Sequence, residues 1–157
     1  MQSHWASPGH VQWCQWLLNS YRHWIAQELI VRQGTLFEQA ERLFQSEFVV
    51  ASHGTESDPI LNYGNQRALD LWEMDWQQFI QTPSRLTAEP AKREDRDRVL
   101  SQVRSQGYIT NYSGIRITST GRRFFAEQIT VWNIQNPEGG IVGQAATFSN
   151  WKFLTGY

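Results

Sequence analysis

Three β-forming runs, "YITNYSGIRIT" (108–118), "RRFFAEQITVWNI" (122–134) and "IVGQAATFSNWKF" (141–153), constrain this fold more than any other feature of the chain. Only "STG" and a six-residue segment containing "NPEGG" separate them. Loops that short join neighbouring antiparallel strands, and Gly121, Gly139 and Gly140 can take the positive φ that tight hairpins need. A meander is expected. In the central run Phe124, Ala126, Gln128, Thr130 and Trp132 alternate onto one face, and Phe125, Glu127, Ile129, Val131 and Asn133 onto the other. Both sets carry large apolar groups, so both faces of this strand need a cover. Across "NPEGG" one register sets Trp132 beside Gly143 and Gln128 near Thr147. A slip of one residue brings Val142, Gln144, Ala146 and Phe148 to that face instead, and both registers stay open.

The covers must come from upstream. Val11, Cys14, Leu18, Tyr21, Ile25 and Leu29 recur at helical spacing and predict a helix over 11–30. Trp13, Trp16, Leu17 and Trp24 widen its apolar surface beyond one stripe, so this helix is the obvious cover for the sheet's outer face, if a partner chain does not provide it. Gly34 ends it, and Thr35 with Glu38 forms a capping box that opens a second helix through about Phe44. "EFVVASHG" (47–54) and residues 60–63 read as strands. Asn65 is placed to cap a helix carrying Ala68, Leu69 and Trp72, and Asp75 opens a short turn from Trp76 to Ile80. From Ala91 to Ser105, Val99, Leu100 and Val103 make a narrow stripe among charges. There Lys92, Arg93, Arg96 and Arg98 are balanced by Glu94, Asp95 and Asp97, which reads as a solvated face. The expected fold is α+β: a five-stranded antiparallel sheet with short helices on one face and an N-terminal helical extension. The extension takes residues 1–33 and the sheet domain residues 34–157.

Composition narrows the function classes. A length of 157 residues suits one domain, and no run of about 18 apolar residues is present that could span a membrane. The formal net charge of -1 argues against general nucleic-acid binding, which needs an excess of Lys and Arg. Cys14 is alone, so no internal disulfide can form, and no signal segment opens the sequence; a reducing cytoplasm is expected. Eight tryptophans are expected mostly in the core or an interface.

Four stretches, "DPILNYGNQRALDLWEMDW", "PSRLTAEP", "YSGIRITSTGRRFFAEQITVWNI" and "GQAATF", resemble the MEKHLA domain family, whose fold is PAS-like. The family is found at the C-terminal end of plant class III homeodomain-leucine zipper transcription factors and as small stand-alone bacterial proteins, and the chain resembles the second kind. It has no homeodomain, no heptad zipper and no literal Met-Glu-Lys-His-Leu-Ala string, so DNA binding is not carried over. The resemblance implies a sensory or protein-interaction module. Its first two strands would form a hairpin before the chain leaves the sheet, at the corner from Asn62 to Asn65, to wrap helices over a pocket. It also implies dimerisation through the N-terminal helix, as PAS-like domains commonly do, and it supplies no catalytic residues.

Candidate ligand-binding residues follow, each with a plainer explanation beside it. Asn62 and Asn65 serve equally as corner residue and helix cap. Gln128 and Gln144 need partners if buried, whether protein, water or ligand. Tyr112 and Arg116 set a cation among aromatics where an acidic ligand could bind, as do Arg122 and Arg123, against the alternative of a solvated sheet edge. Trp132 and Phe148 would supply apolar wall. His4, His10, His23 and His53 have no metal-ligand spacing with Cys14, and no cofactor is named by any motif. The expected partners are a small molecule, and a second copy or a separate regulator; nucleic acid and membrane are not expected. Two alternatives remain. One is a small enzyme of the cone-shaped helix-and-sheet kind, similar to the nuclear transport factor 2 superfold, with Glu127 or His53 as base. The other is a pure dimerisation module with a cavity filled by its own aromatics.

Overall fold

A computed structural model describes residues 4–155, with the side chains of His4 and Ala91 excepted; the outermost residues of both expected segments, 1–3 and 156–157, lie outside the described residues. After a 3-10 turn at His4–Ala6 come α1 (Pro8–Ile25) and α2 (Leu36–Phe44), then β1 (Val49–His53) and β2 (Leu61–Gly64). Next are α3 (Gln66–Trp72), α4 (Trp76–Phe79), a 3-10 turn at Ser84–Thr87 and α5 (Pro90–Gln106). The chain finishes with β3 (Tyr108–Ile117), β4 (Arg123–Gln135), β5 (Ile141–Phe148) and β6 (Asn150–Phe153).

Local chemistry accounts for most of the element ends. The hydroxyl of Thr35 accepts from the Glu38 amide while the Glu38 carboxylate accepts from the Thr35 amide, the reciprocal capping box. Asn65 caps α3 and Asp75 caps α4 in one direction, each side-chain oxygen accepting from the amide three residues on. The first helix ends earlier than its spacing predicts. Ala26 turns left-handed (φ 66°) and returns its amide to the Arg22 carbonyl, so Leu29 and Ile30 pack from a loop. Arg32 holds that loop against the helices through Gln15, Asn19 and Gln39.

The sheet is antiparallel throughout, in the order β2-β1-β5-β4-β3, and β6 continues alongside β4. The last expected strand is therefore broken in two at Ser149. Thr130 pairs with Thr147 and Glu127 with Asn150, so the pairing sum is unchanged across the break. What changes is the facing. Gln128 adopts a left-handed φ of 54°, and the buried side of β4 passes from Ala126 directly to Ile129. The partner lane makes the same step, from Phe148 to Trp151, whose rings lie 5.9 Å apart. A strict two-residue alternation along 122–134 does not survive this irregularity: Phe124 packs with Trp72 and Phe148, while Trp132 faces the opposite side, against Tyr21, so Phe124 and Ala126 do not share a face with Trp132.

The observed register sets Trp132 opposite Ala145 and Asn133 opposite Gln144. Gly143, Ala145 and Thr147 thus lie on the Trp132 side, and Gln144, Ala146 and Phe148 on the other. Helix α1 covers the Trp132 side within the same chain: Tyr21 meets Trp132 edge-on at 4.9 Å, and the Trp132 Nε1 donates to the Leu17 carbonyl at 3.2 Å. Gly143 lets the layers close, because a Cβ there would run into the His53 carbonyl and the Trp13 ring. The opposite face lies under α3, α4 and α5. Among the described residues no tryptophan is exposed, and Trp5, Trp72, Trp76 and Trp132 are fully in the core.

Candidate ligand cavity between the sheet and helix α5

The strands leave the sheet at Asn65, and that side chain is spent on the corner itself. Its Oδ1 accepts from the amides of Val50 and Ala68, both at 3.1 Å, and its Nδ2 donates to the carbonyls of Phe48 and Leu43. Asn62 lies on the α1 side, where its Oδ1 accepts from the Ser52 hydroxyl. Past the corner the chain lays α3, α4 and the Ser84–Thr87 turn over the inner face, and α5 follows as the outer wall.

A cavity of about 80 Å³ remains between these layers. At roughly 30 Å³ of liquid volume per water, that is space for about two or three waters, and about half the roughly 150 Å³ of an apolar cavity that takes up benzene. Its floor is apolar, from Ala51, Ile129, Val131, Ala146 and Phe148, and its roof includes Trp72, Phe79, Val99 and Leu100. Polar groups are few, and they converge from different elements: His53 from β1, Ser84 and Thr87 from the turn, Arg96 from α5, Tyr112 and Arg116 from β3, and Gln144 from β5.

Arg96 is the unexpected member. The balanced charges of this helix predict a solvated face, but Arg96 is only 6% exposed. The spacing carries the reason: position 96 precedes Val99, Leu100 and Val103 by three, four and seven residues, which places it on the apolar stripe. Its guanidinium donates to the Ser84 hydroxyl and reaches Asp97 Oδ1 at 3.4 Å. Asp97 is itself 68% exposed at its side chain, so this pair is a weak screen for a buried cation. Burial pushes the Arg96 pKa down to about 10, with Arg116 adding to the drop and Asp97 and Tyr112 opposing it.

Arg116 sits half-buried at the cavity rim. It donates to the Ile115 carbonyl at 2.9 Å and to the Tyr112 hydroxyl at 3.4 Å, with its guanidinium 5.8 Å from the Tyr112 ring centre. Gly114 makes the arrangement possible, since a Cβ there would press to 3.0 Å on both the Arg116 guanidinium and the Tyr112 hydroxyl. Arg122 and Arg123 stand apart from the cavity and face carboxylates, Glu73 at 3.9 Å and Glu89 at 3.5 Å. Among the described residues no carboxylate lines the cavity.

His53 lies along the β1 wall. Its Nδ1 meets the Gly54 carbonyl at 2.8 Å, so in the neutral ring Nδ1 carries the proton and Nε2 is the acceptor. That Nε2 is buried with no protein partner. Burial lowers the His53 pKa, the Gly54 carbonyl works against the drop, and Arg96 and Arg104 add to it.

Of the residues selected from the sequence, the structure brings Tyr112, Arg116, Gln144 and Phe148 together around this cavity. Gln144 is also structural: its Nε2 donates to the Leu100 carbonyl at 2.9 Å and to Asn133 Oδ1 at 3.2 Å. Asn133, not singled out in the sequence, holds the same helix by donating to the carbonyls of Val103 and Arg104. Asn62 and Asn65 lie outside, and so does Trp132, on the α1 side. Gln128 is exposed and accepts from Asn150 at 2.8 Å. Glu127 is exposed beside it, away from the cavity, and among the described residues no group of His, Cys, Asp and Glu is arranged to hold a metal ion.

Comparison with known proteins agrees with this architecture. The PAS domain of a protein from Colwellia psychrerythraea superposes on 76% of this chain and 97% of its own, with a TM-score of 0.64 at 17% identity. A light-oxygen-voltage domain studied with a flavin analogue superposes on 75% of the chain and 85% of its own, with a TM-score of 0.59 at 12% identity. At those identities the likeness is one of fold, and the fold is PAS-like. In sequence, the homeobox-leucine zipper protein REVOLUTA of Arabidopsis thaliana is 22% identical over 154 residues, 94% of this chain. HOX10 of Oryza sativa is 22% identical over 142 residues, 89% of this chain. The chain spans only 17–18% of the length of these relatives. The family model of the MEKHLA domain matches residues 11–153, from within α1 to the end of β6. With a PAS-like sheet, a cavity beneath its helices and this match over nearly all of its length, the chain belongs to the MEKHLA domain family.

Proposed function

We propose that this PAS-like domain is a regulatory module that takes up a small molecule in the cavity and passes on its occupancy by protein contact, with a second copy or a separate regulator. One observation carries the reading: the strands that wall the cavity also hold α1. Val131 lines the cavity, while the adjacent Trp132 bonds Leu17 on α1. Ala51 and His53 lie along it, while the Ser52 hydroxyl between them accepts from the Trp13 Nε1 at 2.9 Å. The Trp24 Nε1 donates to the Asn133 carbonyl at 3.0 Å, and the Asn133 side chain holds α5. A ligand that separates α5 from the sheet would therefore act on the anchors of α1. It can do so only to the extent that it binds one arrangement more tightly than the other.

In this reading residues 1–33 form the output element and the remainder of the chain the input domain. Nucleic acid and membrane have no part in it, and no helix among the described residues is long and apolar enough to cross a membrane. The flavin of the light-oxygen-voltage neighbour is not carried over, because a three-ring system exceeds a cavity of about 80 Å³. Nor does the reading require turnover, since Glu127 is exposed away from the cavity and His53 commits its Nδ1 to Gly54. Native mass spectrometry of freshly purified protein tests the proposal. A retained small mass that disappears on denaturation supports it, whereas a clean dimer with no bound mass favours a module that works by association alone.

A further inference from the structure

Resting on that small-molecule reading, we infer that the ligand is a compact carboxylate with an apolar body, such as a short-chain acid, held by Arg96 and Arg116. Two guanidiniums from different elements converge on one cavity that no carboxylate lines among the described residues. Arg96 has five N–H donors, of which the protein engages two, one with Ser84 and one with Asp97. A carboxylate suits the remaining fork, because two parallel N–H bonds to its oxygens combine charge with shape. The bonds that Arg116 makes to the Ile115 carbonyl and the Tyr112 hydroxyl leave its charge without an acidic partner, at the rim where a ligand would enter.

Everything else about the cavity favours a small apolar remainder. Ile129, Val131, Phe148, Trp72 and Leu100 present hydrocarbon, so a bare inorganic anion would satisfy the arginines and leave this surface unused. The volume of about 80 Å³, roughly half that of an apolar cavity that takes up benzene, accepts a short chain of about three or four carbons and excludes anything much larger. The neutral His53 Nε2, an acceptor without a protein partner, adds a place for a ligand hydroxyl if its ring turns toward the cavity.

The test is isothermal titration of the full chain with propionate and butyrate, with the matched neutral propanol and butanol, and with inorganic phosphate. The acids are expected to bind at least tenfold more tightly than the alcohols and than phosphate. Arg96→Met and Arg116→Gln should each weaken the acids tenfold or more while leaving the alcohols unchanged. Arg116 is half-exposed, so its variant carries the test should Arg96→Met fail to fold. Alcohols that match the acids, with neither substitution mattering, would overturn the carboxylate assignment and leave a neutral small-molecule site standing. Phosphate as tight as butyrate would overturn the apolar body. Absence of binding by every probe, with no retained mass in native mass spectrometry, would overturn both this inference and the small-molecule reading beneath it.

Discussion

Replacing Arg96 by methionine is expected to leave the ligand-free protein as stable as before, or to stabilise it by up to about 2 kcal/mol. Arg96 is 6% exposed, and burial pushes its pKa down to about 10. At 1.36 kcal/mol per pH unit that drop corresponds to roughly 3 kcal/mol of disfavoured charge, an order-of-magnitude figure. Both folded and unfolded chains carry this charge at pH 7, so the penalty is present in full there and is relieved only as the pH rises above about 10. Methionine removes it and keeps an unbranched apolar stem against Val99 and Leu100. Losing the bond to Ser84 offsets about 1 kcal/mol. Urea unfolding at pH 7 measures the balance, with exposed Arg98→Met as the control expected within about 0.5 kcal/mol. A loss of more than about 2 kcal/mol with native circular dichroism would mean that the charge is fully compensated within the protein, which removes the physical ground for a site poised for an anion.

Asn65→Ala should destabilise by about 3–5 kcal/mol in the same assay, since it deletes a helix cap and orphans buried groups on Val50 and Phe48; Asn65→Asp keeps the acceptor but sets a second oxygen against the Phe48 carbonyl, so it should be destabilised at pH 7 as well. Loss of under 1 kcal/mol for the alanine variant would deny the corner its structural role. Because burial depresses the His53 pKa, the unfolded chain takes up this proton first as the pH falls. Stability should therefore decline below about pH 6.5, by at most about 1.4 kcal/mol per pH unit. Melting curves from pH 7 to 5 should be flatter for His53→Gln, and identical slopes would show that another group governs the decline. Cys14 is fully buried in α1 with its thiol pushed up to about 12, so a disulfide reagent at pH 8 should react with it only as fast as the protein opens; immediate labelling of the native protein would contradict that placement.

Local chemistry made most of the elements readable from residues alone. The Thr35–Glu38 box, the Asn65 and Asp75 caps and the glycines of the hairpins act over three or four residues, and they form wherever their segments do. The same holds for the meander, because loops as short as "STG" and "NPEGG" leave little choice of neighbour. The family resemblance could be read for the same reason, as it lies in contiguous motifs. Facing could not be read in this way. One left-handed residue, Gln128, reverses the alternation along β4 and moves Trp132 to the α1 side while Ile129 and Val131 reach the cavity, and nothing local distinguishes that residue from its neighbours. Arg96 shows the same division. Its position on the stripe of α5 is written in the spacing, but whether a stripe of that helix faces solvent or a cavity depends on what the sheet presents opposite. Burial is set by partners distant in sequence, and only the packed layers decide which charged side chain is enclosed.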